Sequence, residues 1–558
     1  MSGGEAEMPR VTGEVLERSL WLGSSANPIF ARLTTPATSS IGGALLISPP
    51  IGRESRAARQ TLRTLAVDIA GDGFAVLRYD HFGTSDSSGK FDDDSFLVEW
   101  TDQIRRGVEF LRSLGASSVS ALGMRLGATI LGSAAQLHSL ELSSVVLWDP
   151  CESGRSYLRE RAAFEAVVQE DDRRESTRVN EKSEFVYREA TKETMRSLTL
   201  LEVEPERLAE RVLIITRDDR VTPMKLTRQF DTVSVQWEST NEQSALMEVE
   251  LPAAKLPVKA MQRIRRWIVE SKVEETPLLT TSAEALSLVG GGPGPLAVRE
   301  RAISVGPQGL FAVVSEPVGE ANGPWIVMVN GANEDHVGPS RLWVDLSRRW
   351  SSFGLRCVRF DFVGLGESPR PGPTSPTRES DDPGLTDIFE VIRDLSPDDP
   401  TNAVLIGLCT GAHRALRAAL QLHIRGVCTI NPQVGPALPR SVDELEKSRL
   451  RKFVEGQPWI GKLVRQMWRV ALPSAYSFKV RKTLAENGTE MLLIASSQDL
   501  IPFPRIPILR SLDNPRLISR EKCRIEVVPG LDHDLLNSEG RSNAVAILDD
   551  FIRTTFTS

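Results

Sequence analysis

Three residues late in the chain have the types and the order that nucleophilic catalysis needs. Cys409 lies in AVLIGLCTGAHRA, Ala403 to Ala415, where an apolar run leads into Gly-Leu-Cys-Thr-Gly and helix-forming residues follow. A G-x-nucleophile-x-G pentapeptide between a strand and a helix exposes its central side chain on a sharp, strained turn. Serine is usual at that centre; here it is cysteine. Asp499, in SSQDLIP, falls just past one strand-like run, and His533, in IEVVPGLDHDLL, just past the next. Nucleophile, acid, histidine is the chain order of a triad built on such a turn. The pentapeptide alone would turn up by chance in roughly one chain in five of this length, and the plain alternative is a buried thiol between glycines. The flanking strand and helix, with an acid and a histidine at two consecutive strand ends downstream, favour a catalytic thiol.

Each residue then has a role. A free thiol is only a few per cent ionised at neutral pH, and a nearby imidazole or helix N-terminus is what activates it. His533 would accept the proton of Cys409 and return it to the leaving group, while Asp499 would fix the imidazole tautomer. The oxyanion needs two preorganised donors: the backbone N–H of Thr410, and one from the loop after an earlier strand, at Ala332 in NGANED. His336, in that same loop, is either a substrate contact or a solvent-exposed loop residue. His413 and His423 read as helix-face residues, and Cys357, Cys428 and Cys523 as small residues of strands. Asp361, in RFDFVG, is expected to hydrogen-bond the turn that follows it. No paired metal ligands and no phosphate-cradling G-x-x-x-x-G-K-[ST] loop occur, so no metal or cofactor is expected.

Elements of a particular kind must position these groups. Short runs rich in Val, Ile and Leu alternate with helical patterns such as SRLWVDLSRRW, Ser340 to Trp350. Near-continuous apolar strands separated by helices predict an α/β fold with a mostly parallel sheet flanked by helices. Functional groups then gather at the carboxyl ends of the strands. The chain also repeats itself. GDGFAVLRYDHFGTSDSSG (Gly71 to Gly89) resembles SFGLRCVRFDFVGLGESPR (Ser352 to Arg370), and SVSALGMRLGA (Ser118 to Ala128) matches NAVLIGLCTGA (Asn402 to Ala412). RVLIITRDDRVTP (Arg211 to Pro223) matches EMLLIASSQDLIP (Glu490 to Pro502) without a gap. Two tandem copies are therefore expected, at residues 10–272 and 295–558, joined by a Gly- and Pro-rich linker at 273–294. An insertion at about 436–488, carrying Trp459 and Trp468, reads as a helical cap whose aromatic side chains would meet substrate.

The first copy lacks the chemistry. Arg125 stands where the nucleophile belongs, in GMRLG, Arg220 aligns with Asp499, and no histidine follows His138 in that half. A guanidinium stays charged and is no nucleophile. Arg125 is thus either a structural ion pair, neutralised by the nearby Asp218 and Asp219, or an anion site at a helix N-terminus. The ion pair is preferred, which makes the first copy a scaffold in contact with the second.

Composition narrows the class. The 558 residues are 41% hydrophobic and 25% charged, with a net charge of −7, as in globular proteins and unlike the basic stripes that bind nucleic acid. The N-terminal MSGGEAEMPRV has no apolar core of a secretory signal, and no apolar run approaches a membrane span. Five scattered cysteines form no disulfide framework, and a cytoplasmic location is expected.

On these motifs the chain resembles the α/β-hydrolase superfamily and, within it, the exosortase-system-associated hydrolases. SPPIGRE (Ser48 to Glu54) and GMRLG are similar to one type of that group; VGPSR (Val337 to Arg341), VRFDFVGLGES and IGLCTGA are similar to another. The chain looks like a fusion of the two, although Thr410-Gly411 depart from the acidic residue and alanine usual after the cysteine. The resemblance implies acyl chemistry and supplies no substrate; the partner expected here is a small-molecule acyl substrate, free or carried by a protein or CoA. Hydrolysis, including thioester hydrolysis, and acyl transfer both fit; a non-catalytic binding or assembly protein is the alternative.

Overall fold

A computed structural model of the chain describes residues 10–12, 15–23, 27–91, 95–174, 189–249, 254–279, 286–289, 294–331, 334–370, 382–432, 484, 486–496, 523–533, 535 and 537–557. Among these, two nine-stranded, mostly parallel sheets form. The first contains β1 (Arg10–Thr12), β2 (Val15–Leu22), β3 (Ile29–Pro36), β4 (Ala44–Ser48), β5 (Ala75–Tyr79), β6 (Val119–Met124), β7 (Ser144–Trp148), β8 (Arg211–Arg217) and β9 (Val235–Thr240). The second contains β10 (Leu286–Val289), β11 (Val298–Val305), β12 (Leu310–Pro317), β13 (Trp325–Val329), β14 (Arg356–Phe360), β15 (Ala403–Leu408), β16 (Gly426–Ile430), β17 (Glu490–Ser496) and β18 (Cys523–Val528).

The first sheet runs β1-β2-β3-β5-β4-β6-β7-β8-β9 and the second β10-β11-β12-β14-β13-β15-β16-β17-β18, the same order shifted by nine labels. In each, the leading strands pair antiparallel, and the strands from the fourth label onward pair parallel with register fixed over four to six residues. Side chains alternate across a strand, so each parallel strand feeds two cores. Leu46, Ala121, Leu147 and Ile214 join one cluster, while Leu45, Leu122, Val146 and Leu213 join the other, under the helices Arg53–Gly71 and Val258–Val269. Of the segment expected as linker, Thr276–Pro277 pairs with Ser40–Ile41 and Leu286–Val289 forms β10.

By packing, the chain divides into two compact units. One comprises Met1–Glu320, Asn333–Phe353 and Arg359–Ser375; the other comprises Ala321–Ala332, Gly354–Val358 and Pro376–Ser558. Inside the first unit β5 and β14 each send an arginine to a carboxylate in the turn after the other. Arg78 hydrogen-bonds both carboxylate oxygens of Glu367, and Arg359 binds Asp86 and Glu300. The rings of Phe30 and Phe311 have centroids 6.3 Å apart. Each of these two residues donates its backbone N–H to a serine hydroxyl, Ser87 and Ser368 respectively, at 2.9 Å. These charged groups are buried, which a fold tolerates only when they are paired and hydrogen-bonded. Among the described residues no helix is long and apolar enough to cross a membrane.

Candidate active site

In the second unit the site begins where β15 ends. Its six residues are all buried between β13 and β16, as a central parallel strand requires. At Cys409 the backbone turns into the left-handed half of conformational space, φ 55° and ψ −118°, and the helix Thr410–Leu422 starts at the next residue. The Cys409 N–H donates to the Ile430 carbonyl at 3.0 Å, and its carbonyl accepts from His413 at 3.3 Å, which locks the turn between strand and helix. Two glycines make this possible. A Cβ on Gly411 would lie 2.3 Å from the Val329 carbonyl oxygen, and one on Gly407 would lie 2.5 Å from the Gly411 carbonyl. The G-x-C-x-G spacing is therefore a steric requirement of the turn.

His533 arrives from the loop after β18. Its Nε2 lies 3.1 Å from the Cys409 sulfur, and both residues are half-buried. The loop is held at its far end by Asn537, which caps the helix Ser538–Phe556 by accepting from Glu539 and Gly540 N–H groups, and whose own N–H donates to Asp532 at 2.8 Å. At its near end the side chain of Asn431 donates to the carbonyls of Asp532 and His533, at 3.0 and 2.9 Å. Asn431 was not singled out from sequence; its signal is an asparagine one residue past a buried strand, aligned with Asp149 in the first half.

The structure thus brings Cys409 and His533 together, with Thr410 as the first residue of the helix behind the thiol. Asp499, Ala332, Trp459 and Trp468 lie outside the described residues, as does all but the end of the segment expected as a cap. His413 is partly buried on its helix, and burial together with Arg417 lowers its pKa. His423 ends the helix in a left-handed conformation, φ 53°. Cys357 and Cys428 are buried in strands, Cys523 partly so, and burial pushes the Cys428 thiol up. No cluster of three or more His, Cys, Asp or Glu side chains suited to a metal occurs among the described residues.

Two expectations in the first unit are corrected. His336 is not a solvent-exposed loop residue. It is fully buried, with Nδ1 2.9 Å from Asp361 and Nε2 2.6 Å from Asp86, so neither ring nitrogen is left for a substrate. Burial alone would lower its pKa, but the two carboxylates outweigh that and raise it well above the ordinary value. Asp361 also accepts the Glu367 N–H at 2.7 Å, the turn contact expected of it. Arg125 occupies an elbow of the same shape as Cys409, φ 55° and ψ −125°, with Gly127 against the Pro49 carbonyl. It is ion-paired, but not to Asp218 or Asp219. Its partners are Glu54, in the first turn of the helix Arg53–Gly71, at 3.2 Å, Asp149, just past β7, at 3.3 Å, and Glu160, on the helix Gly154–Arg174, at 2.7 Å, while Asp219 pairs with Arg217 at 2.6 Å. Arg220 binds Glu160 and Glu248.

Residues 326–546 match the family model described as the alpha/beta hydrolase family. No curated protein matches the chain by sequence. Similar solved structures include a CIB-like hydrolase from Thermoplasma acidophilum, 20% identical over 46% of this chain and 99% of that one, with a TM-score of 0.29. Proline iminopeptidase of Mycobacterium smegmatis is 14% identical over 45% of this chain and 98% of its own, with a TM-score of 0.33. Dienelactone hydrolase from Anabaena variabilis is 16% identical over 46% and 96%, with a TM-score of 0.29.

Proposed function

We propose, from the match of residues 326–546 to the alpha/beta hydrolase family model, that the second half is an acyl-transfer enzyme working through an acyl-Cys409 thioester. The observation that carries this reading is the 3.1 Å approach of His533 Nε2 to the Cys409 sulfur on a strand-to-helix turn. That is the hydrogen-bond reach a base needs to take the thiol proton. The thiolate then adds to the carbonyl carbon of an ester, thioester or amide. As the tetrahedral adduct collapses, His533 returns the proton to the leaving alcohol, thiol or amine. Water or a second nucleophile, deprotonated by His533, attacks the thioester and releases the acyl group. Asp499 is assigned to orient the imidazole, and the backbone N–H groups of Thr410 and Ala332 to hold the oxyanion.

In this reading residues 10–272 are a copy of the same domain without catalysis, 273–294 join the two, and Arg125 is a structural ion pair. A cysteine thioester is attacked by amines and thiols more readily than an oxygen ester, so acyl transfer to a carrier or small acceptor stands beside hydrolysis. Intact-mass analysis after exposure to a panel of activated esters and thioesters is the test. An acyl adduct on the wild type and none on Cys409→Ala is the expected result. Equal labelling of both would leave a binding protein on a hydrolase scaffold as the better account.

A further inference from the structure

We propose that Asn431 is a positioning residue that sets His533 against Cys409; this rests on reading those two as the reacting pair. Asn431 follows β16 directly and is 1% exposed. Its backbone N–H donates to the Ile494 carbonyl at 2.9 Å, which docks it on β17. Its side chain then makes three bonds. The amide nitrogen donates to the carbonyls of Asp532 and His533, and the amide oxygen accepts the N–H of Ser496, the last residue of β17, at 2.8 Å. Two acceptors and one donor in those places match one orientation of an amide and no other common side chain. A carboxylate would face two carbonyl oxygens without a hydrogen to offer.

The backbone argues the same way. Asn431 has φ 44°, in the left-handed region where asparagine is tolerated better than most residues. One side chain thus ties the end of β16, the end of β17 and the peptide of the histidine itself. Ser496 stands three positions before Asp499 in sequence, so the same amide anchors the strand that leads to the expected acid. The first half supplies an internal comparison. Asp149 has φ 45° and donates its N–H to Ile215 at 2.7 Å, so the backbone role persists. Its carboxylate turns to Arg125 instead, in a half that has no histidine loop to hold. The amide is present where the pair is present.

Asn431→Gly removes the side chain while keeping a residue at ease with positive φ, and Asn431→Asp keeps the shape while losing both donors. Each is compared with wild type and His533→Ala by the rate of Cys409 alkylation with iodoacetamide from pH 5.5 to 9, with a thermal melt to show that the protein is folded. His533→Ala is expected to slow alkylation below neutral pH by about tenfold. Both Asn431 variants should move the profile the same way, and kcat should fall by about a hundredfold with KM little changed. Should Asn431→Gly melt below the assay temperature, the isosteric Asp variant decides. A folded Asn431 variant with the wild-type profile, beside a shifted His533→Ala, overturns the proposal and leaves the pair standing. An unshifted His533→Ala overturns the pair and the proposal together.

Discussion

Arg78 and Glu367, 289 positions apart in sequence, share two hydrogen bonds of 3.0 and 2.8 Å inside the first compact unit. Arg359 of β14 and Asp86, in the turn after β5, make the reciprocal pair. Arg32 and Arg59 also approach Glu367, both at 3.7 Å. Burial disfavours the charged form of Glu367, yet Arg78 and the other guanidinium groups outweigh it and hold its pKa far below the ordinary value. Because the folded value is depressed, this stabilisation is complete above the unfolded carboxyl pKa, near 4.5, and is lost as the pH falls through the folded one.

Glu367→Gln leaves three buried guanidinium groups short of a counter-charge and should cost about 3–5 kcal/mol at pH 7. Urea unfolding followed by circular dichroism measures it. The loss should shrink when Arg78→Met is added, since the double variant removes the group left unpaired. Equal losses for the single and double variants would show that the pair is not the source.

His336 predicts a limb at the opposite end of the pH scale. Its pKa is raised by Asp361 and Asp86, so its contribution is full below the unfolded histidine value, about 6.5, and is lost as the pH rises through the folded one. The stability gap between wild type and His336→Asn should therefore be widest near pH 6 and narrow toward pH 9.5. Urea midpoints at constant ionic strength give the gap at each pH. A gap that widens toward alkali would mean the imidazole is held neutral.

The glycines of the two elbows should separate stability from chemistry. Gly411→Ala puts a methyl against the Val329 and Asn330 carbonyls and should displace Cys409. Gly127→Ala puts one against the Ser48 and Pro49 carbonyls, beside Arg125. Each should cost about 1–3 kcal/mol from overpacking. Loss of the Cys409 acyl adduct in intact mass is expected for Gly411→Ala, with the adduct retained in Gly127→Ala.

What was legible in the sequence is what is local or periodic. The alternation of apolar strands with helices shows the sheets, and G-L-C-T-G shows its turn because both glycines answer to carbonyls of adjacent backbone. His336 was misread because its partner Asp86 lies 250 positions away, in a turn that by sequence looks solvated. Arg78, Arg359, Glu300 and Glu17 are all buried, and the pairs Arg78–Glu17 and Arg359–Glu300 join residues far apart in sequence, which no local pattern shows. Asn431 was passed over because its work is done on backbone carbonyls, which carry no residue-type signature. For Arg125 an ion pair was legible from its permanent charge, but its partners come from three separate elements, Glu54 from the first turn of one helix, Asp149 from a strand end and Glu160 from another helix, which only the fold brings together.

The proposed triad predicts unequal penalties. Cys409→Ala and His533→Ala should nearly abolish turnover, whereas Asp499→Asn should retain a measurable fraction, because an orienting acid does not itself transfer the proton. Cys409→Ser should fall by at least a hundredfold, since a hydroxyl needs a stronger base than a thiol does. Steady-state kinetics on whichever activated ester labels the wild type gives all four values. Full activity in Asp499→Asn would direct the search to another acid.

Arg125→Met tests what the first half is for. The guanidinium is buried and faces Glu54, Asp149 and Glu160, and Arg220 contacts the same Glu160 oxygen. Burial already raises the pKa of Glu54 and Asp149 even with Arg125 beside them. Without it their folded values rise further above the unfolded ones. A raised folded value means stability that is lost as the pH rises, so the variant should be least stable relative to wild type at neutral pH and recover part of the difference toward pH 5. At pH 7 the expected loss is about 3–5 kcal/mol, the cost of breaking a buried pair from one side. If the half is a scaffold, kcat and KM of folded Arg125→Met stay at wild-type values while Tm drops. If Arg125 instead binds an anionic substrate group, KM rises while Tm holds, since an arginine engaged by a ligand contributes little to the fold without it. Thermal melts at pH 5 and 7, with kinetics at a temperature where both proteins are folded, separate the two.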